Sequence, residues 1–331
     1  MKKAIITGIT GQDGCYLAKL LLSKGYKVYG AQRRNTGKRY WRLDELGITD
    51  QIEFVDIDLS EPYNIEKVID KVQPDEFYNL AAQSFVGLSF EQPQVTTITN
   101  SLGVLNILEV IRNKYPDIKF YQASTSEMYG KVLETPQKET TRFYPRSPYG
   151  CAKAYSHYLT VNYRESYNLF TCSGILFNHE SPMRGEEFVT RKITKGLVHW
   201  LKNGKPVELG NLDSKRDWGH AEDYVEAMWL MLQQDKPDDY VISTGKTYSI
   251  KDFINKCLNR LEITNYNKGD QFLDNQGNYI VKTNPKFVRP AEVDLLVGDS
   301  TKAKKELLWK PKHNLDSLID DMIQADLKRY G

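Results

Sequence analysis

The sequence predicts an α/β fold: a doubly wound, mostly parallel sheet with a smaller mixed C-terminal lobe for a substrate. Three observations point there. The chain opens with an apolar strand, a run of glycines and a helical stretch in immediate succession. Short apolar strands then alternate with helical segments through the first half, the pattern of parallel strands joined by right-handed crossovers. Beyond residue 177 the character changes to polar loops that carry arginines.

Residues 3–7, KAIIT, form the first expected strand, and Gly8, Gly11 and Gly14 follow it at once. Residues 15–24 place apolar side chains at helical spacing and stop at Gly25, after which KVYGAQ at 27–32 closes a strand–turn–helix–strand unit. Glycines between a strand and a helix let the backbone turn tightly and approach a diphosphate, whose charge the helix N-terminus then holds. This is the Rossmann-like arrangement, and it predicts a dinucleotide. The end of the second strand selects which one. An NAD site usually carries an acid there, whereas Gln32-Arg33-Arg34-Asn35 is followed by no carboxylate until Asp44, so the expectation is NADP.

Residues 51–56 read as a third strand, with Asp58 and Leu59 placed to meet and cover an adenine edge. A helix over 64–71 and a fourth strand over 74–80 follow. That strand runs out into Ala81-Ala82-Gln83-Ser84, small residues beside which a nicotinamide-side ribose could lie close. A helix over 99–114 delivers the chain to a central strand at 120–123, whose polar end carries Ser124, Thr125, Ser126 and Glu127. Ser147 before Pro148 starts a helix, because the Ser oxygen takes an orphan amide proton and Pro loses no bond in the first turn. Tyr149 and Lys153 then share one face. A phenol beside an ammonium has a stabilised phenolate, which makes Tyr149 a candidate acid–base group near neutral pH. Thr125 can donate to the same oxygen that Tyr149 addresses, and Glu127 adds a second proton-transfer group. A Y-x-x-x-K spacing by itself equally describes a half-buried tyrosine and a solvated lysine; the context decides.

The Tyr149 helix runs on to 167, and residues 170–177 make the next strand. A polar loop at 178–185 leads into a helix from 188 to about 200, a small strand at 206–209, a polar turn at 215–220 and a helix over 221–233. Residues 240–243 are expected to cross back to the sheet, before a helix at 251–261. The stretch 264–286, polar with scattered glycines and asparagines, reads as a surface insertion. Segments 299–308 and 315–328 close the chain, the last with Leu318, Ile319, Met322, Ile323 and Leu327 along one packed stripe. The expected division is a dinucleotide-binding domain over 1–177, its sheet completed by part of 215–245, and a mainly substrate-binding lobe over 178–331. Arg184, Arg191, Arg216 and Arg289 all fall in loops or at helix starts of the second half. A guanidinium fork matches phosphate oxygens at two points, so several in one lobe suit a diphosphate-bearing substrate, although each alone is as well explained by a surface salt bridge.

With 331 residues the chain can form one large body with an appended lobe. Lys plus Arg number 45 against 43 Asp plus Glu, so net charge implies no attraction to nucleic acid or membrane. No basic stripe with interleaved aromatics appears either. Cys15, Cys151, Cys172 and Cys257 are widely spaced and show no metal-ligand pattern, so no metal is expected and reduced thiols of a cytoplasmic protein are the simple account. The basic, briefly apolar start turns to glycine and aspartate before a signal peptide is complete, and no apolar run approaches the ~20 residues of a membrane span.

Longer strings make the pattern specific. ITGITGQDGCYLAKLLL, YNLAAQSFVG, FYQASTSEMYG, PRSPYGCAK, GILFNHESPMRGEEFVTRK, KRDWGHAEDYVEAMWLML and RPAEVDLLVGD together resemble the extended short-chain dehydrogenase/reductase family and, within it, the GDP-mannose 4,6-dehydratases, over essentially the whole chain. The resemblance implies that Thr125, Glu127, Tyr149 and Lys153 are catalytic. It implies cofactor contacts from Gly8, Thr10, Gly11, Gln12, Asp13, Gly14, Arg33, Arg34, Asn35, Asp58, Leu59, Leu80, Ala81, Ala82, Ser84, Tyr149, Lys153, His179 and Arg184. It places Ser84, Thr125, Glu127, Asn178, Val189, Arg191, Lys192, Arg216, Arg289 and Glu292 on the substrate side. It also implies a homo-oligomer, a tetramer or dimer, in which the arginine loop after the second strand reaches a neighbour. Two departures stand out: Val95 occupies a position where some members carry a cofactor-facing tyrosine, and the 264–286 stretch is long for the compact members.

The expected chemistry, on that resemblance, is NADP-dependent 4,6-dehydration of a GDP-linked hexose, with a GDP-linked manno-heptose as the alternative sugar. Glu127 distinguishes it from a plain same-fold reductase, which has no use for a second base, and a C4 epimerase would yield no 6-deoxy product. A cofactor-binding scaffold that has lost its chemistry predicts gaps among Thr125, Glu127, Tyr149 and Lys153, and there are none.

Overall fold

The computed structural model describes residues 1–34, 37, 40–287, 293 and 295–331. Its first half alternates strand and helix: β1 (Lys3–Thr7), α1 (Gln12–Ser23), β2 (Lys27–Gln32), α2 (Trp41–Glu45), β3 (Glu53–Asp56), α3 (Pro62–Val72), β4 (Glu76–Asn79), α4 (Val86–Glu91), α5 (Pro93–Thr97), α6 (Gly103–Lys114), β5 (Lys119–Thr125), α7 (Pro148–Tyr167) and β6 (Thr171–Leu176). The second half has shorter strands: β7 (Asn178–Glu180), α8 (Val189–Asn203), β8 (Val207–Leu209), β9 (Lys215–Arg216), β10 (Trp218–His220), α9 (Ala221–Leu232), β11 (Asp239–Ile242), β12 (Tyr248–Ser249), α10 (Ile250–Arg260), β13 (Tyr266–Lys268), β14 (Gln271–Leu273), β15 (Tyr279–Thr283), α11 (Thr301–Glu306) and α12 (Leu315–Tyr330).

Seven parallel strands form the main sheet in the order β11-β6-β5-β4-β1-β2-β3. Neighbouring residues in a strand point to opposite faces, so a sheet buried on both sides needs unbroken apolar runs. Ile5, Phe77 and Phe120 enter one core with Ile65, Ile69, Ile107 and Ile111 of α3 and α6. Ile6, Tyr78 and Tyr121 enter the other with Leu17 and Leu21 of α1 and Val225 and Met228 of α9. The register aligns Thr7 with Ala31 and Asn79, and Thr125 with Leu176. The carboxyl ends of β1, β2, β4, β5 and β6 thus share one edge, where such sheets bind ligands.

A smaller sheet, β13-β14-β15-β8, is mixed, with β15 parallel to β8 and antiparallel to β14. Helices α8, α10 and α12 cover it through Leu197, Phe253, Ile254, Leu318 and Ile319. This corrects the expectation that 264–286 is a surface insertion. Phe272, Ile280 and Val281 are buried in the lobe core, and the glycines and asparagines serve the turns, as at Gly269 and Gly277 with φ +62° and +84°. Its composition is polar because one face alone is buried.

Other bounds moved for local reasons. Residues 49–51 make a 3₁₀ turn, so β3 begins at Glu53. The helix expected over 99–114 becomes α6 from Gly103, preceded by a wide turn at Ile98–Leu102 that follows α5. No helix among the described residues is long and apolar enough to cross a membrane.

Candidate active site

The sheet edge opens into a cavity of about 1490 Å³ that reaches across to the smaller lobe. Its floor is the turn between β1 and α1. Gly8 has φ +69°, and a Cβ there would sit 3.0 Å from the Ala81 nitrogen and the Leu80 carbonyl carbon. At Gly14 a Cβ would lie 2.3 Å from the Gly8 oxygen. Side chains at either position would fill the cradle or break the turn. The Thr7 hydroxyl accepts the Leu80 and Ala81 amides at 3.0 Å each and donates to the Asn79 side chain at 2.7 Å, tying the ends of β1 and β4 together. Gly11 occupies the cap of α1 with no side-chain cap bond, leaving the first helical amides available to an anion. Gly8, Thr10, Gly11, Gln12, Asp13 and Gly14 all line the cavity, as do Asp58, Leu59, Leu80, Ala81, Ala82 and Ser84. The cradle fits the diphosphate of a dinucleotide.

Asp13 and His179 pair across this floor, Oδ2 to Nε2 at 2.9 Å, while His179 Nδ1 donates to the Phe177 carbonyl at 2.8 Å. Burial alone pushes Asp13 up, but the His179 charge and hydrogen bond carry it below the usual carboxylate range. Burial likewise presses His179 down, and Asp13 carries it up. Each thus favours the charged form of the other, and Tyr224 stacks on the imidazole at 4.6 Å.

Beside it stand the four residues of the central strand and following helix. Thr125, Glu127, Tyr149 and Lys153 all line the cavity. The Ser147 oxygen caps α7 by accepting the Gly150 amide at 3.0 Å, and Pro148 fills the first turn. A Cβ on Gly150 would meet the Glu127 carbonyl at 2.8 Å, so glycine lets the start of α7 close onto the turn that carries Glu127. Tyr149 is 8% exposed and hydrogen-bonds Thr125; Lys153 is 3% exposed, with Nζ donating to the Ala123 carbonyl at 2.8 Å. Burial drives the Tyr149 phenol well above its ordinary value, and Glu127 adds to the rise, while Thr125 and Arg184 oppose it. Lys153 sits 5.9 Å from the phenol ring centroid and is itself lowered by burial to about 8. The Lys153 ammonium is thus anchored on a backbone carbonyl rather than seated against the phenol oxygen.

Of the four arginines singled out, Arg184 and Arg216 line the cavity. Arg184 pairs with Glu180 at 3.0 Å and lies 3.6 Å over the Phe188 ring. Arg191 does not reach it: 1% exposed, it is paired with Asp326 of α12, which also accepts the Thr194 hydroxyl at 2.8 Å. Its place at the start of α8 looked like a phosphate contact, but that face of the helix packs inward. Arg289, Glu292 and Asn35 lie outside the described residues. Asn178, Val189 and Lys192 line the cavity, and the buried Asn178 amide oxygen has no hydrogen-bond partner among the described residues. Arg33 lines it too, whereas Arg34 does not.

Several lining residues escaped sequence reasoning. Arg42 donates to the Thr10 and Met183 carbonyls at 3.0 and 2.6 Å, joining the glycine turn to the loop after β7. Phe188 packs edge-on to Phe85. Phe287 receives the Lys192 ammonium 3.4 Å over its ring, beside Lys286. An arginine followed closely by phenylalanine in a polar loop was the available signal for Phe188; Phe287 had none.

Fold and site together define a protein of the extended short-chain dehydrogenase/reductase class, and three solved structures share its whole architecture. They are UDP-glucose 4-epimerase from Thermotoga maritima (24% identical, TM-score 0.83, covering 99% of this chain and 98% of that one), dTDP-glucose 4,6-dehydratase from Bacillus anthracis (22%, 0.83, 99% and 97%) and UDP-glucose 4-epimerase from Thermus thermophilus (25%, 0.81, 99% and 99%). Sequence narrows the class: the GDP-mannose 4,6 dehydratase family pattern matches residues 5–322. GDP-mannose 4,6 dehydratase of Drosophila melanogaster is 50% identical, covering 99% of this chain and 86% of that protein, and the human one is 48% identical, covering 98% and 91%. The chain belongs to the GDP-mannose 4,6-dehydratase family.

One expectation is overturned by these comparisons. The Bacillus and Thermus structures are both described with NAD, so the NADP assignment, and with it NADP-dependence of the reaction, does not stand. Two cations after β2 are not in themselves a 2′-phosphate site. Both are exposed, and Arg34 does not line the cavity.

Proposed function

We propose that this protein removes water from GDP-mannose to give the 4-keto-6-deoxy sugar nucleotide, with a dinucleotide of the NAD kind held on the Gly8–Gly14 turn. The observation that carries the reading is the meeting of Thr125, Glu127, Tyr149 and Lys153 in one cavity, in a chain of this family. A dinucleotide held on the Gly8–Gly14 turn would supply a reversible hydride acceptor for C4 and C6, so that no reductant is consumed. Tyr149 exchanges the proton of the sugar 4-hydroxyl, Thr125 hydrogen-bonds at that phenolic oxygen, and Lys153 orients the ribose side from its seat on the Ala123 carbonyl. Once C4 is a ketone the C5 proton is acidified. Glu127 takes it and delivers it to the departing C6 hydroxyl, which leaves as water, and C5 regains a proton, the one Tyr149 took from the 4-hydroxyl, as C6 receives hydride.

The rest of the proposal concerns positioning. Arg184 and Arg216 face the substrate diphosphate, and Asn178 offers its unpartnered amide oxygen. Lys192 and Phe287 supply a cation and a flat apolar ring at the lobe end of the cavity. A homo-oligomer, tetramer or dimer, fits the exposed apolar Leu102, Tyr155 and Tyr158, and free, dispersed cysteines suit a cytoplasmic setting.

Incubating the protein with GDP-mannose and, separately, GDP-manno-heptose without added reductant tests the reading. The expected result is a 4-keto product lighter by one water, from the mannose nucleotide. Glu127→Gln should retain the dinucleotide and lose ~10²–10⁴-fold of the dehydration rate, the usual contribution of a general acid–base group. A smaller loss, or product that forms only once a reductant is added, overturns the assignment.

A further inference from the structure

We propose a divalent transition-metal site, outside the active-site cavity, formed by His220, Glu222 and His313. The donor atoms of these three side chains lie within 4.8 Å of one another, and none of the three residues lines the cavity. They arrive from separate elements. His220 ends β10 and caps α9, Glu222 stands in the first turn of α9, and His313 precedes α12.

What marks the group as a site is the arrangement behind the ligands. A metal-binding imidazole characteristically donates its second ring N–H to a carboxylate, which fixes its orientation and raises its basicity. Both histidines have that backing. His220 Nε2 faces Asp321 Oδ2 at 3.1 Å, and His313 Nδ1 faces Asp223 Oδ1 at 3.1 Å. Asp223 is itself held by the Lys312 and His313 amides, both 3.0 Å from its other oxygen. This leaves His220 Nδ1 and His313 Nε2 as donors. The first now accepts the Glu222 amide at 3.1 Å, a contact an ion would displace. The rings are stacked, centroids 4.2 Å apart and 24° from parallel, so their in-plane lone pairs do not yet converge and an ion would have to part the stack; His220 is buried and His313 half-buried. The Glu222 carboxylate, shared with Lys19 at 3.1 Å, completes three protein ligands and leaves a fourth position for water.

Two imidazoles and one carboxylate select zinc and its first-row neighbours over magnesium or calcium, which prefer all-oxygen shells. A bound ion would tie α9 to the segment before α12. It would also brace β10, whose Trp218 and Gly219 pair with Asn178 and His179 in the cavity wall.

The test uses the full chain, stripped with chelator and dialysed, then titrated with Co²⁺ and back-titrated with Zn²⁺. His220 caps a helix and its loss risks unfolding, so His313→Ala and Glu222→Gln are the variants, with His199→Ala as a control away from the cluster. Expected are one Co²⁺ per chain with visible ligand-field bands, displacement by Zn²⁺, and a Zn²⁺-dependent rise in melting temperature. His313→Ala should weaken binding by about tenfold or more and abolish the thermal shift, with His199→Ala unchanged. Absence of saturable binding, or binding that His313→Ala leaves intact, overturns the proposal.

Discussion

Lys153 shows how function is set against stability at a single residue. An ammonium buried to 3% exposure is disfavoured, and its value falls from the ordinary lysine range to about 8. The unfolded chain therefore binds more protons than the folded one between pH ~8 and ~10.4, so stability rises with pH across that window. Lys153→Met should remove this dependence. Denaturant midpoints at pH 7 and pH 10 will show the variant gaining on the parent at pH 7 and losing that gain by pH 10, while its dehydration rate collapses. Equal pH slopes in the two proteins would contradict the buried charge. The Asp13–His179 pair has the opposite sense at its histidine. Its raised value contributes stability that is full below the unfolded value near 6.5 and is lost as pH climbs through the folded one.

At the scale of elements, the segment that looked dispensable turns out to be core. Strands β14 and β15 bury Phe272, Ile280 and Val281 against α8 and α10. Phe272→Ala should cost about 3–5 kcal/mol, the range for truncating a buried phenylalanine, as read from chemical denaturation. A surface insertion would change by less than ~0.5 kcal/mol. The elements that sequence reasoning placed best carry their own local signals. Ser147-Pro148 begins α7 where the cap rule puts it, and the glycine turn sits between β1 and α1. Arg191 misled because helical periodicity does not say which face a flanking cation takes until the partner helix α12 brings Asp326 to it. Phe287 and Arg42 had no local signal, since their roles come from contacts with Lys192 and with the Thr10 and Met183 carbonyls.

At the scale of the whole molecule, the cavity exists because a sheet edge and a second lobe face each other, each lining part of it. Protein purified without added nucleotide, denatured and examined by mass spectrometry should release NAD. Release of a dinucleotide carrying an extra phosphate would reverse the correction drawn from the neighbouring structures. By itself the sequence placed the seven strands of the main sheet, the glycine cradle and the Tyr149–Lys153 face, but not α2, α4, α5 or β13–β15, because the former depend on residues close together in the chain and on backbone rules that act locally. The tertiary structure alone decided the burial of Tyr149, the inward turn of Arg191, the burial of β14 and β15 and the meeting of His220 with His313. Those outcomes depend on desolvation and on partners brought from distant segments, and neither is written in local spacing.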